Sequence, residues 1–418
     1  EGIFAMATDS YDRIYAAAGV QGAQGVDVLV FRMNLDGVLD TNFGDKGAII
    51  HEVSTGSELP HSIIIDENNR PVIMGSAPRQ TKDIFVLRLE ENGARDSSFS
   101  VDGVLFLDPE NVNNEPAGIA IRPSSIGGGY YVLCYQNVPG GQMATITSVS
   151  SSGNWNIDLG GPGELNYRKS GHSTVPQDIA YHHGDLYISG TFKGKTGNQD
   201  AFISCIQTNG KLKTTYGDSG SVVVTLSPAN LDEEVFYKML VSSDSTIYAV
   251  GMAQQNGVNY ILTAHFDQTG NKVGLFGNGG GFHKTTLPNG ALDFTIHDAA
   301  LDDKRGRLYV SGSSELNLDI DFFAYAFITE ASEPAGPNGI SLAPESLKVY
   351  PNPAKDQLYL DLPGEESAQV KLVDIAGRVI EMNSEMNVLD LTGLENGVYF
   401  LIAEQNQKIY TTKIHKIN

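Results

Sequence analysis

The sequence predicts an all-β protein: a six-bladed or seven-bladed β-propeller of four-stranded blades, followed by a small immunoglobulin-like β-sandwich. Three observations predict it. One apolar strand pattern ends at positions 18, 75, 134, 190, 251 and 312, so its copies lie 56 to 61 residues apart. Gly, Asn and Asp turns bound every run, and no helical period of useful length intervenes. The period then stops at a stretch rich in Pro, Gly and Ser, 331 to 346, after which the strands follow a different spacing.

Each repeat reads as four strands. The first is apolar, as in "SIIID" (62 to 66). The second is the "RLYVSG" type: "RIYAAA" (13 to 18), "RPVIMG" (70 to 75), "YYVLC" (130 to 134), "DLYISG" (185 to 190), "TIYAVG" (246 to 251) and "RLYVSG" (307 to 312). The third runs "DVLVFRM" (27 to 33), "DIFVLRL" (83 to 89), "MATITSV" (143 to 149), "DAFISCI" (200 to 206), "YILTAHF" (260 to 266) and "DFFAYAF" (321 to 327). A turn glycine follows at 37, 93, 153, 210 and 270, and an aromatic or leucine at 43, 99, 159, 216 and 276. The fourth strand, such as "AIIHEV" (48 to 53), closes the unit. Four antiparallel strands repeating at about 60 residues describe a propeller blade, and one blade cannot bury both of its faces alone. Phe43 and its counterparts are therefore expected between blades, with Gly44 and Gly47 supplying positive-φ corners. The recurrent Asp27, Asp83, Asp200 and Asp321 are expected to cap turns through backbone hydrogen bonds. Blade 6 lacks its aromatic-glycine motif, so its outer strand must come from upstream residues, from further blades or from the linker.

The string "FRMNLDGVLDTNFGDKG" resembles the delta-60 repeat of bacterial surface propellers, over residues 1 to about 330. Blades 1 and 2 match well; blade 3 departs, with Ser148 and Leu159 for the usual arginine and aromatic. The resemblance implies the fold and an exported location, and carries no catalytic residues.

The formal net charge is −22. From Ser346 onward there are 7 Lys/Arg against 10 Asp/Glu, which leaves 21 against 40 before it, so the acidity belongs to the N-terminal part. Such a surface repels phosphate backbones and anionic lipid, so no nucleic-acid partner is expected. No run of 18 apolar residues occurs, so no membrane insertion is expected, and "EGIFAMATDS" does not read as a signal peptide. Cys134 and Cys205 are read as small buried residues and not as a disulfide framework.

Residues 331 to 346 read as a linker and 347 to 418 as a separate antiparallel domain. The latter resembles the type A sorting domain of the type IX secretion system. The matching motifs are Tyr350-Pro351-Asn352-Pro353, Asp374 with Gly377-Arg378, Gly397-Val398-Tyr399, and the basic end from Lys413 to Lys416. On folding grounds, Pro351 and Pro353 stiffen the entry strand, Gly377 turns a hairpin and Tyr399 fills the core. The resemblance implies translocon and shuttle proteins as partners and passage across the outer membrane to the cell surface or exterior. It also implies cleavage near the linker.

Recognisable catalytic chemistry is scarce. "GNGGGF" (277 to 282) joins two strands and opens no helix, which a phosphate loop requires. "DTNFGDKG" has a calcium-loop look, but His51 stands where a bidentate Glu belongs. No cofactor is expected; calcium is the one candidate, at Asn317, Asp319 and Asp321. His182 and His183 are read as a solvated turn whose side chains point to opposite faces. The residues entering each first strand are Ile3-Phe4, His61-Ser62, Ala117-Gly118, Gln177-Asp178, Phe236-Tyr237 and His297-Asp298. His61, Gln177, Asp178, His297 and Asp298 are the central-channel candidates for a ligand or metal. The expected function is binding or scaffolding at the cell surface, toward a glycan or protein ligand and without catalysis of its own. The alternative is a propeller hydrolase or lyase acting on glycans or lactones with a central metal.

Overall fold

The computed structural model describes residues 2–108, 112–155, 159, 164–194, 198–226, 233–274, 276–277, 280–287, 293–316, 319–329, 345–362, 369–374, 379–383, 387–405 and 408–417. The chain divides into two compact units, Glu1–Ala331 and Ser332–Asn418.

The first unit is a series of antiparallel meanders in chain order. The first sheet is Gly2–Thr8, Ile14–Gln21, Val26–Met33 and Ala48–His51; the second is Leu59–Ile65, Pro71–Pro78, Lys82–Arg88 and Val104–Leu107. The third is Asn114–Arg122, Gly129–Val138, Gly141–Val149 and Glu164–Tyr167; the fourth is Ser173–His182, Asp185–Lys193, Gln199–Gln207 and Ser221–Val224. The fifth, Glu233–Val241, Ile247–Gln255, Val258–Phe266 and Phe282–Thr285, touches the fourth through one parallel pair, Gln199 with Glu233. The sixth has three strands among the described residues, Asp293–Asp302, Arg307–Leu316 and Asp319–Ile328.

Alternate residues of one strand serve opposite cores, as a two-residue period requires. In the third sheet, Tyr130, Val132 and Cys134 pack with Val72, Met74 and Phe99 of the second. Their neighbours Tyr131 and Leu133 pack with Ile179, Leu186 and Phe202 of the fourth. Similar clusters join the first sheet to the second, the fourth to the fifth and the fifth to the sixth. The outward faces of the end sheets differ: Ile3, Met6, Tyr309 and Phe322 are exposed.

The repeated turn motif is an inter-sheet staple. Phe43, Phe99, Tyr216 and Phe276 are all buried, and Leu159 takes the same place in the third sheet. Gly44 and Gly47 have φ of 56° and 96°, the corners expected of them. Arg88 is buried, bonds Asp96 at 2.7 Å, lies 4.6 Å over the Phe99 ring and donates at 2.6 Å to the Ser151 carbonyl of the next sheet. Arg32 repeats this with Asp40, Phe43 and the Glu91 carbonyl. The next sheet's hairpin glycine then lies on the staple: a Cβ at Gly93 would stand 3.1 Å from the Phe43 ring.

Two local expectations are corrected. Asp83 and Asp200 take side-chain partners, because the hydroxyls of Thr81 in the adjoining hairpin and of Thr225 just past the outer strand reach them. Backbone capping falls to the turn residues Asp9 and Asp66. His182 and His183 do not diverge: their ring centroids are 4.1 Å apart, since His183 has φ 48° and turns the chain. Cys134 and Cys205 are free and buried.

The second unit has a five-stranded and a three-stranded sheet with one core, formed by Leu358, Leu360 and Leu389 from one and Leu372, Leu401 and Tyr410 from the other. Glu345–Ser346, the end of the Pro/Gly/Ser-rich stretch, pairs in parallel with Tyr410–Thr411. Tyr399 is buried and its hydroxyl donates to the Glu395 carbonyl at 2.9 Å. Asn352 acts as a side-chain strand partner, donating to the Lys413 carbonyl and accepting from the His415 amide, each at 2.9 Å. Lys416 is buried, whereas Tyr350 is exposed and stacks on Tyr359. Gly377 and Arg378 lie outside the described residues.

Candidate functional site

The first strands of successive sheets run side by side. Each slips by one residue against its second strand, and the skipped residues are Phe4, His61, Ala117, Gln177, Tyr237 and His297. A bulge re-aims side chains and crowds the partner strand. That crowding explains the terminal glycine of the second-strand pattern. A Cβ at Gly75, Gly190, Gly251 or Gly312 would collide with the carbonyl oxygen of Leu59, Val175, Val235 or Thr295.

The residues just after the bulges in the fourth, fifth and sixth sheets form a charged cluster. Asp178 accepts from the Ile179 amide at 3.0 Å and from the Met239 amide of the fifth sheet at 2.9 Å. Asp298 repeats the first contact with the Ala299 amide at 2.9 Å. Lys238 places its ammonium 3.6 Å from Asp298 and within the field of Asp178. Burial raises the Asp178 carboxyl above its ordinary range, although Lys238 and the two amides oppose it. Burial works against the Lys238 ammonium, but Asp178 and Asp298 outweigh it and raise its pKa. Both residues retain some accessible surface while protein atoms crowd them closely.

His61 of the second sheet completes the group. Its Nδ1 lies 2.9 Å from the Ser62 hydroxyl. Burial, and then the Lys238 charge, lower it to about 4, so the imidazole is neutral at pH 7.

Of the five sequence candidates, then, His61, Asp178 and Asp298 converge on Lys238. Gln177 does not; with Tyr237, Glu233 and Glu234 it lines a separate cavity of about 140 Å³ between the fourth and fifth sheets. His297 is exposed, its Nε2 2.8 Å from the Ser313 hydroxyl. Lys238 itself escaped the sequence reading, which placed the fifth pair at Phe236-Tyr237. The signal was available: 60 residues separate Gln177 from Tyr237, and 60 more reach His297.

The cluster suits charge pairing and hydrogen bonding. An ammonium beside two carboxylates stands where a divalent cation would have to sit, so these residues do not fit a metal. Among the described residues no group of three or more His, Cys, Asp or Glu side chains could hold one. Asn317 lies outside the described residues, as do the side chains of Asp319 and Asp321.

Residues 348–417 match the family model described as the secretion system C-terminal sorting domain. This domain directs export across the outer membrane to the cell surface or extracellular space, and it implies interaction with the type IX secretion machinery. No curated protein matches the chain. Among solved structures, a streptogramin B lyase is similar at 13% identity and TM-score 0.42, over 77% of this chain and 82% of that one. An ulvan lyase of a new polysaccharide lyase family is similar at 11% and 0.45, over 78% of each chain. A further polysaccharide lyase is similar at 10% and 0.43, over 99% and 89%. Likeness at this level says nothing of activity. Among the described residues no helix is long and apolar enough to cross a membrane.

Proposed function

We propose that residues 1–330 form a ring-shaped, delta-60-type propeller that binds or scaffolds at the cell surface, and that 347–418 deliver it there. The observation that carries this reading is the sorting-domain match at 348–417, behind an array of repeats joined by staples. The polar groups at the inner strands support binding over catalysis. Asp178 and Asp298 share the one ammonium of Lys238, and among the described residues His61 has Ser62 as its hydrogen-bond partner and no carboxylate to orient it. Nucleophilic catalysis needs a base within reach of a nucleophile and a third group that orients the base. In this reading residues 331–346 are the tether and ring closure is completed beside the sixth sheet.

The test has two arms. A chain ending at Pro344 should stay in the periplasm of the native host, and residues 331–418 fused to a foreign folded cargo should carry that cargo outward. Surface display of the truncated chain would overturn the export reading. Purified propeller should bind a defined glycan or protein on an array without consuming it. Steady release of unsaturated or hydrolysed sugar would replace the binding reading with the lyase or hydrolase one.

A further inference from the structure

A cavity of about 290 Å³ opens between the third and fourth sheets. Gly140, Arg168, Gly171, His172, Lys193 and Gly194 line it, together with Ser173. None of these is a carboxylate. In a chain of net charge −22 this composition is unexpected.

How the rest of the unit treats its cations sharpens the contrast. Every arginine of the first two sheets stands in an ion pair: Arg13, Arg32, Arg70, Arg79, Arg88 and Arg95. Arg168 instead makes one hydrogen bond among the described residues, from Nη1 to the Pro139 carbonyl at 3.1 Å. That bond anchors one corner of the guanidinium, and no other described residue takes the remaining N–H donors of its fork. The Lys193 ammonium has no hydrogen bond or ion pair among the described residues. His172 has Nδ1 donating to the Ser170 carbonyl at 2.9 Å, which directs Nε2 away from that bond. Two cations brought to one concavity with no carboxylate among its lining residues repel each other, and an anion would relieve that cost.

The walls suit a ligand as well as the charge does. Gly140, Gly171 and Gly194 leave bare backbone at the rim, and a Cβ at Gly171 would meet nothing within 4 Å. The volume is near the lower end of small-molecule sites, about 300 Å³, which fits one sugar-sized unit. We propose that this cavity binds the anionic group of a small polar molecule, a carboxylate or a sulfate ester, through Arg168 and Lys193. The planar guanidinium receives two anion oxygens at once, and the ammonium supplies the second charge.

Calorimetry on the full chain at low ionic strength tests this, with methyl glucuronide, glucose 6-sulfate, inorganic sulfate and methyl glucoside as probes. Saturable binding of at least one anion is expected, weakening as salt is added, with none of the neutral glucoside. Preference for the glucuronide assigns a carboxylate ligand, and preference for either sulfate assigns a sulfate. Arg168→Glu and Lys193→Glu should each weaken binding at least tenfold, while Lys304→Glu, the same charge change in the sixth sheet, should leave it unaltered. If charge reversal lowers the melting temperature, Arg168→Gln replaces it with the same expectation. No saturable binding of any anion, or equal weakening by Lys304→Glu, would overturn the proposal.

Discussion

Arg88 and Asp96 show how one residue pair can hold two repeats together. Burial alone would raise the Asp96 carboxyl, but the Ser98 hydroxyl and amide and the Arg88 guanidinium hold it at about 2. Replacing Arg88 with Ala strands a buried carboxylate, which costs roughly 3–5 kcal/mol. Arg70, 3.0 Å from the same carboxylate, should keep the loss near the lower figure. Phe99→Ala should cost roughly 3–5 kcal/mol through the cavity it leaves; both losses are read from chemical denaturation. His51 and Asp96 give the pH dependence two windows of one sign. Burial depresses the His51 imidazole to about 4, so the unfolded chain binds its proton first and stability falls as pH drops from 6.5 to about 4. His61 adds to this window. Asp96, depressed from 3.8, then loses its contribution as pH falls from 3.8 to about 2. His51→Gln should reduce the first slope to the part that His61 supplies and leave the second; a variant that keeps the full first slope would exclude this assignment.

At the scale of the element, the bulge decides which residue faces which. Gly251 lies inside the second strand of the fifth sheet with no positive φ, so an alanine there fails because its Cβ meets the Val235 carbonyl. Gly251→Ala should therefore destabilise by roughly 1–3 kcal/mol, as overpacking does. Gly274→Ala, with nothing within 4 Å, should stay within about 0.5 kcal/mol. Equal melting temperatures for the two variants would mean that the bulge yields. Lys238→Met removes the ammonium that the first strands of the fourth and sixth sheets share. The Asp178 carboxyl, already raised by burial, should then rise further. A group raised above its unfolded value stabilises below that value, so this variant should be destabilised at pH 7 and recover part of the loss toward pH 4. A loss that is constant across that range would show that Lys238 acts through packing alone.

At the scale of the molecule, a chain of sheets buries every interior face but leaves its two end faces with exposed Ile3, Met6, Tyr309 and Phe322. The second unit has its own core of Leu358, Leu372, Leu389 and Leu401, and a unit with its own core is expected to fold alone. Truncation at Pro344 should leave the melting transition of the first unit unchanged in scanning calorimetry. A collapse on truncation would mean that the removed segment supplies a fourth strand to the sixth sheet.

The chain by itself determined the period, the strand order and the residues that staple one sheet to the next. All of these follow from local chemistry: alternation selects strands, glycines permit the corners, and an aromatic after a turn must find cover. The sorting domain was legible for the same reason, as its motifs are contiguous. Tertiary structure alone decided which polar groups meet. His61, Asp178, Lys238 and Asp298 belong to four different repeats, and a one-residue slip in each first strand chooses which side chain turns inward. Sequence spacing located that slip to within a residue, and one residue is enough to reverse a strand's faces. It separates Lys238 from Tyr237, and the shared cluster from the neighbouring cavity. The basic cavity was hidden more deeply, because Gly140, Arg168 and Lys193 come from a hairpin and two strand ends with no common motif. Only the packing of the third sheet against the fourth brings their charges together.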